Sequence, residues 1–82
     1  MYILNEALMT GTTISEIKST AVVADTFEEA IQKVKIYIGK EKIKLLYNEY
    51  KTETIWTFGI KQEQNLYSVS AIMKNVKLTV IK

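Results

Sequence analysis

The sequence predicts an α+β fold with the element order β-β-α-β(-β-β), in which a mainly antiparallel sheet carries one amphipathic helix packed on one face. Two observations predict this class. A helical apolar stripe with a capping signal occupies residues 26–39, and tracts of alternating apolar residues flank it on both sides. The length of 82 residues fits a single domain that spans residues 1–82.

The first two predicted strands form an antiparallel hairpin. Apolar residues at even positions mark the first strand, and Thr10-Gly11-Thr12 supplies the turn. The second strand ends in the apolar tract AVVA. Alternation fails between Ile14 and Ile17, which indicates a β-bulge at that point.

The predicted helix follows the hairpin. Asp25 and Thr26 are both candidate N-caps, because each has a glutamate three residues later. The apolar stripe recurs at helical spacing and consists of Phe27, Ala30, Ile31, Val34, Tyr37 and Ile38. Gly39 suits the residue that ends the helix.

The segment KEKIKLLYNEY, residues 40–50, fits two structures. Ile43, Leu46, Tyr47 and Tyr50 have helical spacing, whereas Ile43, Leu45 and Tyr47 alternate as in a strand. We favour a strand that follows a short turn.

The C-terminal third is predicted to be β structure. In residues 54–61, Trp56, Phe58 and Ile60 lie on one face, and a polar connection over residues 62–65 leads to a strand over residues 66–73. Lys74-Asn75 is a candidate turn before a last strand, which carries Val76, Leu78 and Val80.

The chain contains no histidine, cysteine, arginine or proline. It therefore lacks a side chain that titrates near neutral pH, a thiolate nucleophile and a bidentate guanidinium. Its acidic residues show no spacing typical of a metal site, and no glycine-rich phosphate loop is present. We predict no catalytic residues, no cofactor and no metal, and hence a protein that is not an enzyme.

Self-association is predicted from the amount of apolar sequence. Apolar residues make up 48% of a chain that is too short to hide them easily and has no disulfide. One helix covers about one face of a small sheet, yet the second faces of the predicted strands still carry Ile55, Leu66, Ile72 and Ile81. We expect a homodimer or higher assembly, and strong curvature of the sheet around its core is the alternative.

Binding to another, unidentified protein is the predicted function. Large aromatic residues are common anchors at interfaces, and the candidate partner-binding residues are Tyr47, Tyr50, Trp56 and Tyr67. Trp56 also fits a core position, because it alternates with Phe58.

Single-stranded nucleic acid is the alternative partner. Lys40, Lys42, Lys44 and Lys51 lie among aromatic residues, and lysines that follow phosphates beside stacking rings are typical of such proteins. The lack of arginine and the interspersed glutamates weaken this interpretation.

The first residues carry no basic segment typical of a secretory signal, and no apolar run is long enough to span a membrane. We expect a cytoplasmic protein with no membrane partner.

The segment AVVADTFEEAIQKV, at the junction of strand and capped helix, resembles segments of short uncharacterised phage and prophage proteins of low-GC bacteria. This resemblance implies a small accessory protein in the host cell. Such a protein would inhibit a host enzyme or defence system by stoichiometric binding.

Overall fold

A computed structural model of the chain describes residues 1–72. This part contains β1 (Tyr2–Thr10), β2 (Thr13–Val22), α1 (Phe27–Ile38), α2 (Lys40–Ile43), β3 (Leu46–Lys51), β4 (Ile55–Ile60) and β5 (Asn65–Ala71). The strands form one antiparallel sheet in the order β2-β1-β5-β4-β3, which confirms the predicted α+β class. The predicted turn at residues 74–75 and the strand after it lie outside the described residues.

The N-terminal hairpin follows the prediction. A turn at Gly11 joins β1 to β2, and its φ of 63° lies in the left-handed region that glycine tolerates. The register of the pair shifts by one residue at Ser15, which is the extra residue of a β-bulge. The bulge lies between Ile14 and Ile17, where it was predicted.

Helix α1 begins and ends at the expected residues. The Glu29 backbone N–H donates to Thr26 Oγ1 at 3.1 Å, so Thr26 is the N-cap. In return the Asp25 N–H donates to the Glu29 carboxylate at 3.2 Å. Gly39 follows the last helical residue with a φ of 100°, and its N–H donates to the Lys35 carbonyl at 3.0 Å.

The ambiguous segment after Gly39 divides between the two structures that its pattern allowed. Lys40–Ile43 form one helical turn, and Leu46–Lys51 form the predicted strand. The helical turn was not predicted. It is held from outside the segment, because Lys42 Nζ lies 2.8 Å from Oε1 of Glu63 between β4 and β5.

The core lies between α1 and one face of the sheet. From the helix, Ala30, Ile31 and Val34 are each at most 1% exposed. The buried residues that face them come from four strands, and they are Leu4, Val22, Trp56, Phe58, Ile60, Tyr67 and Val69. We call this side of the sheet the helix face and the other side the open face.

Candidate interaction surface

Strand register assigns each strand residue to one face. Residues paired across antiparallel strands project to the same side, and neighbours along a strand alternate. The open face consists of Ile3, Asn5, Ala7, Met9, Ile14, Ile17, Ser19, Ala21, Tyr47, Tyr50, Ile55, Thr57, Gly59, Leu66, Ser68 and Ser70.

Within residues 1–72, the strand residues of the open face include no charged side chain. The charged residues of the strands all lie on the helix face, and they are Glu6, Glu16, Lys18, Glu49 and Lys51. Register places four of them there, and Glu49 is placed by its contact with the buried Trp56. The two sides of the sheet therefore differ completely in charge.

Two bulges, one on each edge strand, add large side chains to the open face. Ile14 and Ile17 are three residues apart and would lie on opposite faces of a regular strand, but the extra Ser15 brings both to the open face. In β3 a register shift between Tyr47 and Tyr50 does the same for the two tyrosines. The open face gains one additional large side chain on each edge strand in this way.

A groove of about 410 Å³ runs across the open face. It reaches from Ile17 on one edge strand to Asn48 on the other, with Leu66 between them. The polar groups at its margin are neutral, and Ser19 Oγ donates to Asn5 Oδ1 across the strands at 2.6 Å. The groove is therefore apolar for most of its area, and this polar pair satisfies its own hydrogen bond.

Tyr47 lies directly over Gly59 on the open face. A Cβ atom added to Gly59 would lie 2.8 Å from two carbons of the Tyr47 ring, which is too close for unstrained contact. Glycine permits this close approach of the ring, because an aromatic side chain packs over a strand residue that has no side chain of its own. The contact fixes the position of Tyr47 on the face.

Two of the four predicted partner-binding residues lie on the open face. Tyr47 and Tyr50 are 37% and 62% exposed, so both are available for contact. Trp56 and Tyr67, by contrast, are 1% and 7% exposed and belong to the core. Their assignment as partner anchors is therefore corrected, because α1 packs over the sheet at these positions.

Trp56 and Tyr67 are also held by polar contacts at the edge of the core. The Trp56 indole N–H donates to the Glu49 carboxylate at 2.8 Å. The Tyr67 ring stacks on Phe58 at 5.1 Å, and its hydroxyl donates to the Glu63 carboxylate at 2.7 Å. Both side chains thus bury their rings and satisfy their polar atoms.

Lys42, Glu63 and Tyr67 form one polar network on the helix face. The hydrogen bond from Lys42 lowers the pKa of the Glu63 carboxyl, and the same bond raises the pKa of Lys42. Burial, together with the bond to Glu63, raises the pKa of Tyr67 to about 12. The network favours the protonated form of Tyr67 in alkaline solution, and it links α2 to the connection between β4 and β5.

The predicted nucleic-acid lysines are not brought together with the exposed tyrosines. Lys42 is paired with Glu63, and Lys51 Nζ lies 3.2 Å from the Glu28 carboxylate on the helix face. Lys40 and Lys44 are exposed at α2, which contacts α1. Lys42 and Lys51 are thus engaged with glutamates, and Lys51 lies on the face opposite Tyr47 and Tyr50, whereas single-strand binding needs free cations and aromatic rings along one path.

Ile14 and Ile17 are interface candidates that the sequence interpretation did not identify. The sequence did contain a signal for them, because the break in apolar alternation between the two residues marked the bulge. The consequence of the bulge for the face of each side chain becomes visible only when the register is known.

Among residues 1–72, no group of three or more acidic side chains is placed to hold a metal ion, and no helix is long and apolar enough to cross a membrane. Comparisons of the chain with protein-family models, with curated proteins and with solved structures found no match.

Proposed function

We propose that this protein is a non-catalytic interaction protein that works by protein–protein binding and self-associates as a homodimer or larger assembly. The open face of the sheet is the observation that carries the proposal. An uncharged, largely apolar sheet face on a small domain is typical of an interaction surface.

The energetics of the open face favour its burial. Ile14, Ile17, Tyr50 and Leu66 are between 47% and 62% exposed, which is unusual for apolar side chains of this size on one sheet face. Covering them gains about 25 cal/mol for each Å² of apolar surface removed from water. Within residues 1–72 the strands carry no charge on this side, so burial of the open face does not require a charged strand residue to lose its water.

The pKa shifts support a non-catalytic protein. Lys42, Glu63 and Tyr67 bond to one another, and the shift of Tyr67 to about 12 favours its protonated form. A nucleophile or general base needs the opposite shift, towards an ionised group near neutral pH. We therefore assign this network to the stability of the fold, and we propose no cofactor.

We further propose that the binding partner is a host enzyme or defence component and that this chain inhibits it stoichiometrically. This finer proposal rests on the resemblance of AVVADTFEEAIQKV to short phage and prophage proteins. Inhibition by occupation of a surface needs no reactive groups, which agrees with a chain that has no histidine or cysteine.

The mass of the purified full chain tests the proposal. Native mass spectrometry and light scattering over about 1–100 μM should give a dimer or larger species with a concentration-dependent population. A monomer over the whole range would contradict self-association. In parallel, labelled single-stranded DNA and RNA at low salt should show no binding, and salt-dependent binding would instead support the alternative function.

A further inference from the structure

We infer that the open face binds the open face of a second copy of this chain, so that two sheets pack against each other around a twofold axis with the helices outside. This inference rests on the proposed self-association and names the surface that produces it. The expected arrangement has four layers: helix, sheet, sheet and helix. Packed sheets of this kind lie about 10 Å apart.

The lack of charge on the strand residues of the open face, within residues 1–72, favours a second copy of this chain as its binding partner. A twofold interface brings the same patch together with itself, so a charged patch would meet its own charge. The strand residues of the open face carry no charge within residues 1–72, and the face therefore meets its copy without repulsion and without a buried unpaired ion. An ordinary protein surface, about a quarter of it charged, would lose the hydration of those charges against this face.

Both edge strands of the described sheet carry a bulge, which bears on the competing arrangement, in which strands of two copies pair side by side. Edge strand β2 is interrupted at Ser15, and edge strand β3 is interrupted at Asn48, whose φ of 52° lies in the left-handed region. Bulges of this kind disrupt the ladder of backbone groups that an added strand needs. The same two bulges increase the apolar content of the open face, so both effects favour face-to-face contact.

The size of the face can be compared with the area that a specific dimer buries. Five strands at a spacing of about 4.8 Å, with six or seven residues in β4 and β5 at about 3.3 Å each, span about 24 by 20 Å. The accessible area exceeds this flat area of about 480 Å², because side chains project from it. Specific complexes bury from about 600 to 800 Å² on each partner, so most of the face must take part.

Leu66→Lys tests the inference, with Leu8→Lys as its matched control. Leu66 lies on the open face and Leu8 on the helix face, in neighbouring strands, and they are 47% and 44% exposed. The two variants therefore add the same side chain and charge at similar exposure. Sedimentation of the full chain should show a dimer dissociation constant raised at least about 100-fold by Leu66→Lys, because two lysines would be buried per dimer, and changed less than about threefold by Leu8→Lys.

A second measurement does not require the protein to fold with a lysine at position 66. The chain has no cysteine, so Ser68→Cys places a single thiol near the middle of the open face. Its rate of maleimide labelling should rise at least about tenfold on dilution from dimer to monomer. Ile36→Cys is the control, because Ile36 is 80% exposed on α1. Its thiol should be labelled at the same rate at all protein concentrations.

The outcomes separate the two proposals. A wild-type chain that is monomeric throughout overturns the proposed self-association and this inference together, but it leaves the proposed binding to another protein standing. The inference alone is overturned if the oligomer persists in Leu66→Lys and the Ser68→Cys thiol is labelled equally fast at all concentrations. The edge strands or the helices would then form the contacts between copies. Slow maleimide labelling of Ser68→Cys in a sample shown to be monomeric also overturns the inference, because another segment of the same chain then covers the open face.

Discussion

Replacement of Trp56 by alanine tests whether this residue belongs to the core or to an interface. The side chain is 1% exposed, and its ring centroid lies 4.4 Å from that of Phe58. Lys35 Nζ lies 5.8 Å from the ring centroid, and the indole N–H donates to Glu49. Trp56→Ala therefore removes ring packing from the centre of the core, together with one hydrogen bond.

The loss of packing dominates the expected effect. Truncation of a buried tryptophan to alanine costs about 3–5 kcal/mol of unfolding free energy, because the cavity closes only in part. Glu49 is exposed and regains water, so the lost hydrogen bond adds little. A domain of 82 residues has a total stability of about 4–12 kcal/mol, so Trp56→Ala should remove about a quarter or more of it. The melting temperature should fall by at least about 12 °C.

Circular dichroism in urea and on heating measures this loss of stability. Tryptophan fluorescence cannot be used, because the variant lacks the only tryptophan of the chain. Tyr50→Ala is the comparison, because Tyr50 is 62% exposed on the open face. At concentrations where the chain is monomeric, Tyr50→Ala should change stability by less than about 0.5 kcal/mol and should weaken self-association at higher concentrations. If Trp56→Ala kept the wild-type stability but lost self-association, Trp56 would be an interface anchor and the core assignment would be wrong.

Three further changes test separate parts of the structure. Thr26→Ala should lower the unfolding free energy by about 1 kcal/mol through loss of the N-cap, as measured in urea; no change would contradict the cap. Gly59→Ala should displace the Tyr47 ring and raise the dimer dissociation constant with the fold intact by circular dichroism; an unchanged constant would show that the ring position is unimportant. The pKa of Tyr67, raised to about 12 from an ordinary value near 10, means that the folded state retains this proton longer than the unfolded state. Stability from this group is therefore present below about pH 10 and lost as pH rises towards 12, and Tyr67→Phe should remove that part of the alkaline decline and the absorbance change at 295 nm near pH 12.

Local patterns were sufficient where a structure depends on neighbouring residues. The turn at Gly11, the bulge after Ile14 and the capped helix from Thr26 to Gly39 were all predicted, because caps, turns and periodicity act within a few residues. The alternation of Trp56 with its neighbours likewise predicted the buried side of β4.

Long-range pairing was not predictable in this way. β1 lies between β2 and β5, and no feature of Tyr2–Thr10 indicates that its second partner lies some sixty residues later. The helical turn Lys40–Ile43 is similar, because a distant ion pair to Glu63 helps to hold it. Tyr67 was misassigned for a related reason: an aromatic residue is typical both of cores and of interfaces, and only the packing of α1 decides between them.

The distribution of charge explains why composition alone could not locate the interaction surface. A net charge of +2 and a charged fraction of 24% are ordinary values for a small domain. In the strands of residues 1–72, however, all five charges project to the helix face, and the bulges that bring Ile17 and Tyr50 to the open face make the asymmetry larger. Charge on the helix face keeps that side in water around α1, whereas the open face has apolar area and no strand charge to hydrate. In the proposed dimer, a sheet with two such different sides lowers its free energy by covering the open face, and a second copy supplies a surface of matching chemistry.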